Sequence, residues 1–151
     1  MDLFKEVADR SPVRIIGSTG FFHESWCPIH PVAAALDPDG VTDLITREIT
    51  EGMGGKLVRA GLIKVATKEG RISAQGEKVL RPAARARRAT GCPIITYITD
   101  SKSQKQLAVF ASEGVGAEVI ISHVGFTADP VAEPDVLFRT GAKVSLDRIG
   151  S

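Results

Sequence analysis

Five short runs of apolar, largely β-branched residues recur along the chain, each flanked by Gly or Pro or by polar residues. They are Val13–Gly17, Leu62–Thr67, Pro93–Tyr97, Glu118–His123 and Ala142–Asp147. Their length and β-branched content favour strands over pieces of buried helix. Helical patterns lie between them. Val41, Leu44, Ile45 and Ile49 share one face ahead of a stop at Gly52. The alanine-rich stretch Glu77–Ala89 carries Val79, Leu80, Ala83 and Ala84 and closes at Gly91. Leu107, Phe110 and Ala111 form a third apolar face, with Gly114 placed to terminate it. Repeated strand–helix–strand units predict an α/β fold on a parallel sheet.

The 151 residues amount to about one domain, and no linker divides them, so residues 1–151 are read as a single unit. A hydrophobic share of 43%, a charged share of 25% and a net charge of +1 exclude a disordered tail, a collagen-like chain and a polybasic arm. No window approaches the ~18 apolar residues of a membrane span. The first ten residues carry acidic side chains and no apolar h-region, so no signal peptide is expected. Cys27 and Cys92 lie far apart without paired spacing, which points away from a disulfide framework or zinc knuckle and toward a reducing, cytoplasmic setting.

Each run ends in a residue with chemistry: Thr19, Lys64, Tyr97, His123, then Asp147 with Arg148. In a parallel barrel these strand ends converge on one face, where active sites form. Alternation puts Lys64 on the same face as Leu62 and Ala66. If that face is a barrel interior, a lone ammonium there must be paired, neutral or modified; the alternative is a lysine on a half-exposed edge strand. His123 alone reads as a structural histidine, whereas His123 beside Lys64 reads as part of a site. A loop of about twenty residues, Phe21–Gly40, follows the first run, and loops that long often carry function. His23 and His30 within it lack acidic or thiol partners at ligand spacing and are expected to line a pocket.

Two other classes are disfavoured. Gly52–Leu57 is too short for a phosphate loop and has Leu57 where a magnesium-binding hydroxyl belongs, so it is read as a turn. Arg81, Arg85 and Arg88 share a helical face with Arg87 beside them, but the near-neutral charge and the single Tyr and Trp favour a solvated face over nucleic-acid binding.

The chain resembles the phosphotriesterase-like branch of the amidohydrolase superfamily. The stretches that carry the likeness are Gly17–Glu24, Thr46–Ile49 with Glu51-Gly52, Ala60–Thr67, Glu77–Leu80, Ala89–Ile94, Glu113–Val115, Ile121–His123 and Leu146–Gly150, in family order over nearly the whole length. The resemblance implies a (β/α)₈ barrel with two divalent metal ions, usually zinc, bridged by a carbamylated lysine. It also implies a metal-activated hydroxide that attacks small phosphotriesters, lactones or related esters. On that basis Lys64 takes the carbamylated, bridging position and His123 a metal-ligand position, while Asp147 and Arg148 fall on the loop near the substrate. No nucleic-acid or membrane partner is implied.

The match is incomplete. A full barrel takes about 250 residues, and the runs here correspond to the third through seventh family strands. The His-x-His pair of the first strand and the aspartate of the last have no counterpart, and Tyr97 stands where the family has a histidine ligand. An incomplete (β/α)₈ barrel, inactive by itself, is therefore expected, with a degenerate, non-catalytic remnant as the alternative. Two open sheet edges predict self-association or marginal stability. Pro82, inside a helical pattern, is expected to cost on the order of 3 kcal/mol, whereas Pro134 fits a first helical turn.

Overall fold

The computed structural model describes residues 2–22, 35–67, 72–97, 103–116, 118–124 and 139–145. Helix α1 (Asp2–Arg10) leads into β1 (Ser18–Thr19), then α2 (Pro38–Thr50) and a 3₁₀ turn (Met53–Gly55). After these come β2 (Leu62–Ala66), α3 (Ala74–Thr90), β3 (Ile94–Tyr97), α4 (Ser103–Ser112), β4 (Val119–Ser122) and β5 (Lys143–Ser145). The five strands form one sheet in chain order, every neighbouring pair parallel. This is the α/β architecture that the alternating runs predict.

The register pairs Ile63 with Ile94 and Ile94 with Val119, and Val65 with Thr96 and Thr96 with Ile121. These residues share the face that packs on the helices, and all are fully buried. Opposite them lie Val41 and Ile45 of α2, Leu80, Ala83, Ala84 and Ala86 of α3, and Phe110 of α4. The three alanines keep α3 close to the sheet. Burial of each large aliphatic side chain contributes roughly 1.5–3 kcal/mol, so this layer holds the fold together.

Local sequence explains the helix ends. Asp37 caps α2 by accepting a hydrogen bond from the Gly40 N–H at 2.8 Å, with Pro38 in the first turn. That start lies inside the stretch Phe21–Gly40 expected to be loop. Asp-Pro is a strong helix-entry signal that the loop reading passed over, and residues 23–34 of that stretch are outside the described set. Ser73 caps α3 through the Gly76 N–H at 3.0 Å, and Gly91 ends it in the left-handed conformation. Pro82 is buried midway along α3, and the helix runs through it. Gly52–Leu57 forms the turn expected of it.

Two expectations are corrected here, and one helix is added. The first strand is Ser18–Thr19, not Val13–Gly17; Val13, Ile15 and Ile16 are exposed, and of that run Gly17 touches the sheet by accepting from the Gly61 N–H at 3.0 Å. Among the described residues no strand pairs with Val13–Ile16, so the run joins no ladder there. Helix α1 was not foreseen; its signals are the spacings Lys5 to Asp9 and Glu6 to Arg10, which close as ion pairs one turn apart. On α4 the buried residues are Gln106 and Phe110, while Leu107 is half-buried and Ala111 exposed. Pro134 lies outside the described residues.

Candidate functional site

The opposite face of the sheet carries Leu62, Lys64 and Ala66 on β2, Ile95 and Tyr97 on β3, Ile120 and Ser122 on β4, and Lys143 and Ser145 on β5. Lys64 sits in a row with Ile95, Ile120 and Lys143. The next row toward the strand ends is Ala66, Tyr97, Ser122 and Ser145. Lys64 is half-buried, between the buried Ile63 and Val65 that turn to the helices. The alternation expected for it is therefore the alternation found.

His123 reaches this face by a different route. Strict alternation from Ile121 would send it toward the helices, but its φ of 63° re-aims the chain. It is the one non-glycine residue with positive φ among the described residues. Histidine is among the types that tolerate this region, and such conformations concentrate at functional positions. The turn sets the imidazole against Tyr97, with ring centroids 4.4 Å apart and planes tilted by 60°. Tyr97 also meets Phe22, with ring centroids 5.3 Å apart and planes tilted by 53°.

Phe22 follows β1, so to touch β3 the chain must cross β2. Gly20 makes the crossing possible. Its φ is 111°, and a Cβ there would lie 2.2 Å from the Lys64 carbonyl oxygen. Only a residue without a side chain fits so close to another backbone. The segment that lies against the Lys64 backbone thus also delivers Phe22 to the ring cluster.

Of the residues expected to converge, the structure brings Tyr97 and His123 into contact and places Lys64 on the same face, one row deeper. Thr19 does not join them. It is buried on the helix side, where its hydroxyl donates to the Glu48 carboxylate of α2. The register explains this: Thr19 pairs with Ile63, not with Lys64. Asp147 and Arg148, like His23, His30 and Cys27, lie outside the described residues.

A buried polar network backs the strand ends. The Gln106 amide of α4 is fully enclosed; its Nε2 donates to the Thr67 hydroxyl at 2.6 Å and to the Tyr97 carbonyl at 3.3 Å, and its Oε1 accepts from the Thr96 hydroxyl at 2.6 Å. The Ser122 hydroxyl donates to the Thr96 carbonyl at 2.9 Å. Sequence reading missed Gln106. The signal was present: Thr67 and Thr96 alternate with buried aliphatic residues and need hydroxyl partners from a helix, and Gln106 lies one turn before Phe110.

As for metal, Lys64 as a carbamate and His123 would supply two donors, and Tyr97 offers a phenol, a poor ligand at neutral pH beside an imidazole. No three His, Cys, Asp or Glu side chains come together among the described residues. The residues present do not by themselves fit a two-metal centre. Arg81, Arg85 and Arg88 are engaged within the molecule. Arg81 and Arg85 hold Glu113 at 3.1 Å each, Arg81 also bonds Glu77, Arg85 reaches Asp39, and Arg88 donates to the Glu113 carbonyl. Those hydrogen bonds, from Arg85 first, hold the Glu113 carboxyl below its ordinary range against the opposing effect of burial.

Known proteins with this pattern are close at hand. A phosphotriesterase homology protein of Mycobacterium tuberculosis is 32% identical over 152 residues, which cover 95% of this chain and 46% of its own. An aryldialkylphosphatase of Saccharolobus solfataricus is 30% identical over 149 residues, covering 97% and 46%. The crystal structure of the Escherichia coli phosphotriesterase homology protein, complexed with phosphate in its active site, superposes with a TM-score of 0.90 at 28% identity. That superposition covers 99% of this chain and 51% of the other. The chain thus spans about half the length of the relatives it matches, and its five strands and helices match about half of their barrel. With the phosphotriesterase family model matching residues 1–151 throughout, the chain belongs to the phosphotriesterase family.

Proposed function

We propose that this chain forms part of the site of a hydrolase that cleaves phosphotriester or lactone bonds, and that it is inactive alone. The observation that carries the reading is the placement of Lys64, half-buried on the non-helical face in a row with Ile95 and Ile120. A neutral amine at that position is a nucleophile toward carbon dioxide. The nitrogen would form a bond to the carbon and release a proton to water, leaving an anionic carbamate. Lys64 in that form and His123 would supply two of the donors for divalent ions, zinc being the expected ion, and the remaining donors would have to come from outside these residues. His123 supplies an imidazole nearby in the same cluster as Tyr97. Asp147 and Arg148 belong to the same proposal as substrate-side residues. The reading takes residues 1–151 as one partial-barrel domain working in a reducing, cytoplasmic compartment. It also has the isolated chain associating with itself.

The test is carbon-13 NMR of the chain in labelled bicarbonate with and without zinc. A carbamate resonance that appears with zinc and is lost in Lys64→Ala supports the reading. Absence of the resonance in the wild-type chain refutes it. Phosphotriester and lactone turnover by the chain alone is expected to stay at background. A second reading, a degenerate remnant with at most a binding role, draws on the packing of Tyr97 against both Phe22 and His123. Such a degenerate remnant cannot assemble the metal centre, and it predicts no zinc uptake in either the wild-type chain or Lys64→Ala.

A further inference from the structure

We infer that Gln106, a helix residue remote from the open face, is a positioning residue that sets the Tyr97–His123 pair by locking three neighbouring strand ends together. Its amide binds the hydroxyl of Thr67 just after β2, the hydroxyl of Thr96 on β3 and the carbonyl of Tyr97 on β3. Thr96 in turn accepts, through its carbonyl, the hydroxyl of Ser122 on β4, the residue before His123. One buried side chain therefore ties the strand of Lys64, the strand of Tyr97 and, at one remove, the turn that carries His123.

The geometry leaves the amide one orientation. The Tyr97 carbonyl can only accept, so an N–H must face it; a flipped amide would oppose two acceptors. Both N–H groups and the oxygen are then used, and the amide, being fully enclosed, has no water to exchange with. A satisfied buried network of this kind has one arrangement. Removing one member leaves the others without partners in a dry environment, and they regain them by moving the strand ends. The rings of Tyr97 and His123, 4.4 Å apart, ride on those ends. An apolar side chain of similar length in place of Gln106 would fill the space equally well, so packing alone does not account for the amide.

Tyr97 is the only tyrosine and there are three histidines, so the ring pair can be read directly. The experiment is NMR on the full chain with labelled tyrosine and histidine, following through-space cross-peaks between the two rings. They are expected in the wild type and in Thr96→Ser, which keeps the hydroxyl. They are expected to be lost in Gln106→Met and in Thr96→Val, which keep the volume and remove the hydrogen bond. Leu80→Ala, a core change without polar connection to the site, controls for loosening and should retain them. Cross-peaks that persist in folded Gln106→Met and Thr96→Val overturn the inference, as does their loss in the Leu80→Ala control. Failure of both network variants to fold overturns it too, by making the network a condition of folding and not a positioning device. The inference rests on the proposed hydrolase reading only for what the pair serves. Because the rings are observed without zinc or substrate, a missing carbamate would leave it standing.

Discussion

Replacing Gly20 by alanine should damage this protein far more than the same change at Gly54, although both glycines have positive φ. A Cβ at Gly54, where φ is 58°, meets no heavy atom within 4 Å. Its cost is then the backbone term alone, about 1–2 kcal/mol. At Gly20 the new Cβ would lie 2.2 Å from the Lys64 carbonyl oxygen, 3.0 Å from its carbon and 3.2 Å from its nitrogen. Those are backbone atoms of a paired strand and cannot swing aside like a side-chain tip. Relief requires β1 and β2 to separate, which adds an overpacking cost of roughly 1–3 kcal/mol. Gly20→Ala should therefore lose about 2–5 kcal/mol, a large part of the ~5–15 kcal/mol that holds a typical domain. Urea denaturation followed by circular dichroism reads the difference. The variants differ by the overpacking cost, so with a slope of about 2 kcal/mol/M Gly20→Ala should unfold about 0.5–1.5 M earlier than Gly54→Ala. Equal midpoints for the two variants would show that the crossing beside Lys64 is not close-packed, and the account of how Phe22 reaches Tyr97 would fall with it.

Glu113→Gln should cost about 1 kcal/mol at pH 7, because its two arginine partners are a third or more exposed and solvent screens them. Since the folded carboxyl titrates below its ordinary 4.5, its contribution is complete above that pH and is lost as pH falls through the lower folded value. Wild type and Glu113→Gln should accordingly differ at neutral pH and converge in acid; a gap that widens on acidification would contradict the direction of the shift. Sedimentation velocity should find the isolated chain associated at micromolar concentration, given the exposed Ile16 and Leu57, at 74% and 95%, and the outer edges of β1 and β5. A well-folded monomer would count against it.

Four of the five strand positions, the buried faces of α2 and α3 and the parallel sheet were readable because period-2 and helical-period patterns reflect burial directly. Lys64 was legible for the same reason: a cation inside Leu-Ile-Lys-Val-Ala breaks an apolar run at a position whose face alternation fixes. The limits were equally physical. Val13–Gly17 has strand composition, but pairing depends on a neighbour, and composition carries no information about neighbours. Thr19 stands among the strand-end residues in sequence, but register sets it beside Ile63 on the helix side. His123 could be named but not aimed, since its position depends on one left-handed residue that alternation does not predict. Gln106 was hidden because a single polar residue on a short helix gives no period; it becomes visible once two threonines on separate strands are seen to face the same helix.

Those threonines expose a division of labour between the two faces of the sheet. Thr19, Thr67 and Thr96 all lie on the helix side near the strand ends, and each has a helix side chain for a partner: Glu48 of α2 for the first, Gln106 of α4 for the other two. Deeper along the same face the residues are aliphatic and held by α2, α3 and α4 without hydrogen bonds. The helix layer thus grips the strand bodies by apolar packing, which is strong but tolerant of small slides, and the strand ends by hydrogen bonds, which are weaker but directional. Packing supplies stability and the polar ends supply precision. Residues that define the open face can therefore be disturbed from the helices without any change on that face, and a search for determinants of the site that stopped at Lys64, Tyr97 and His123 would leave out the side chains that aim them.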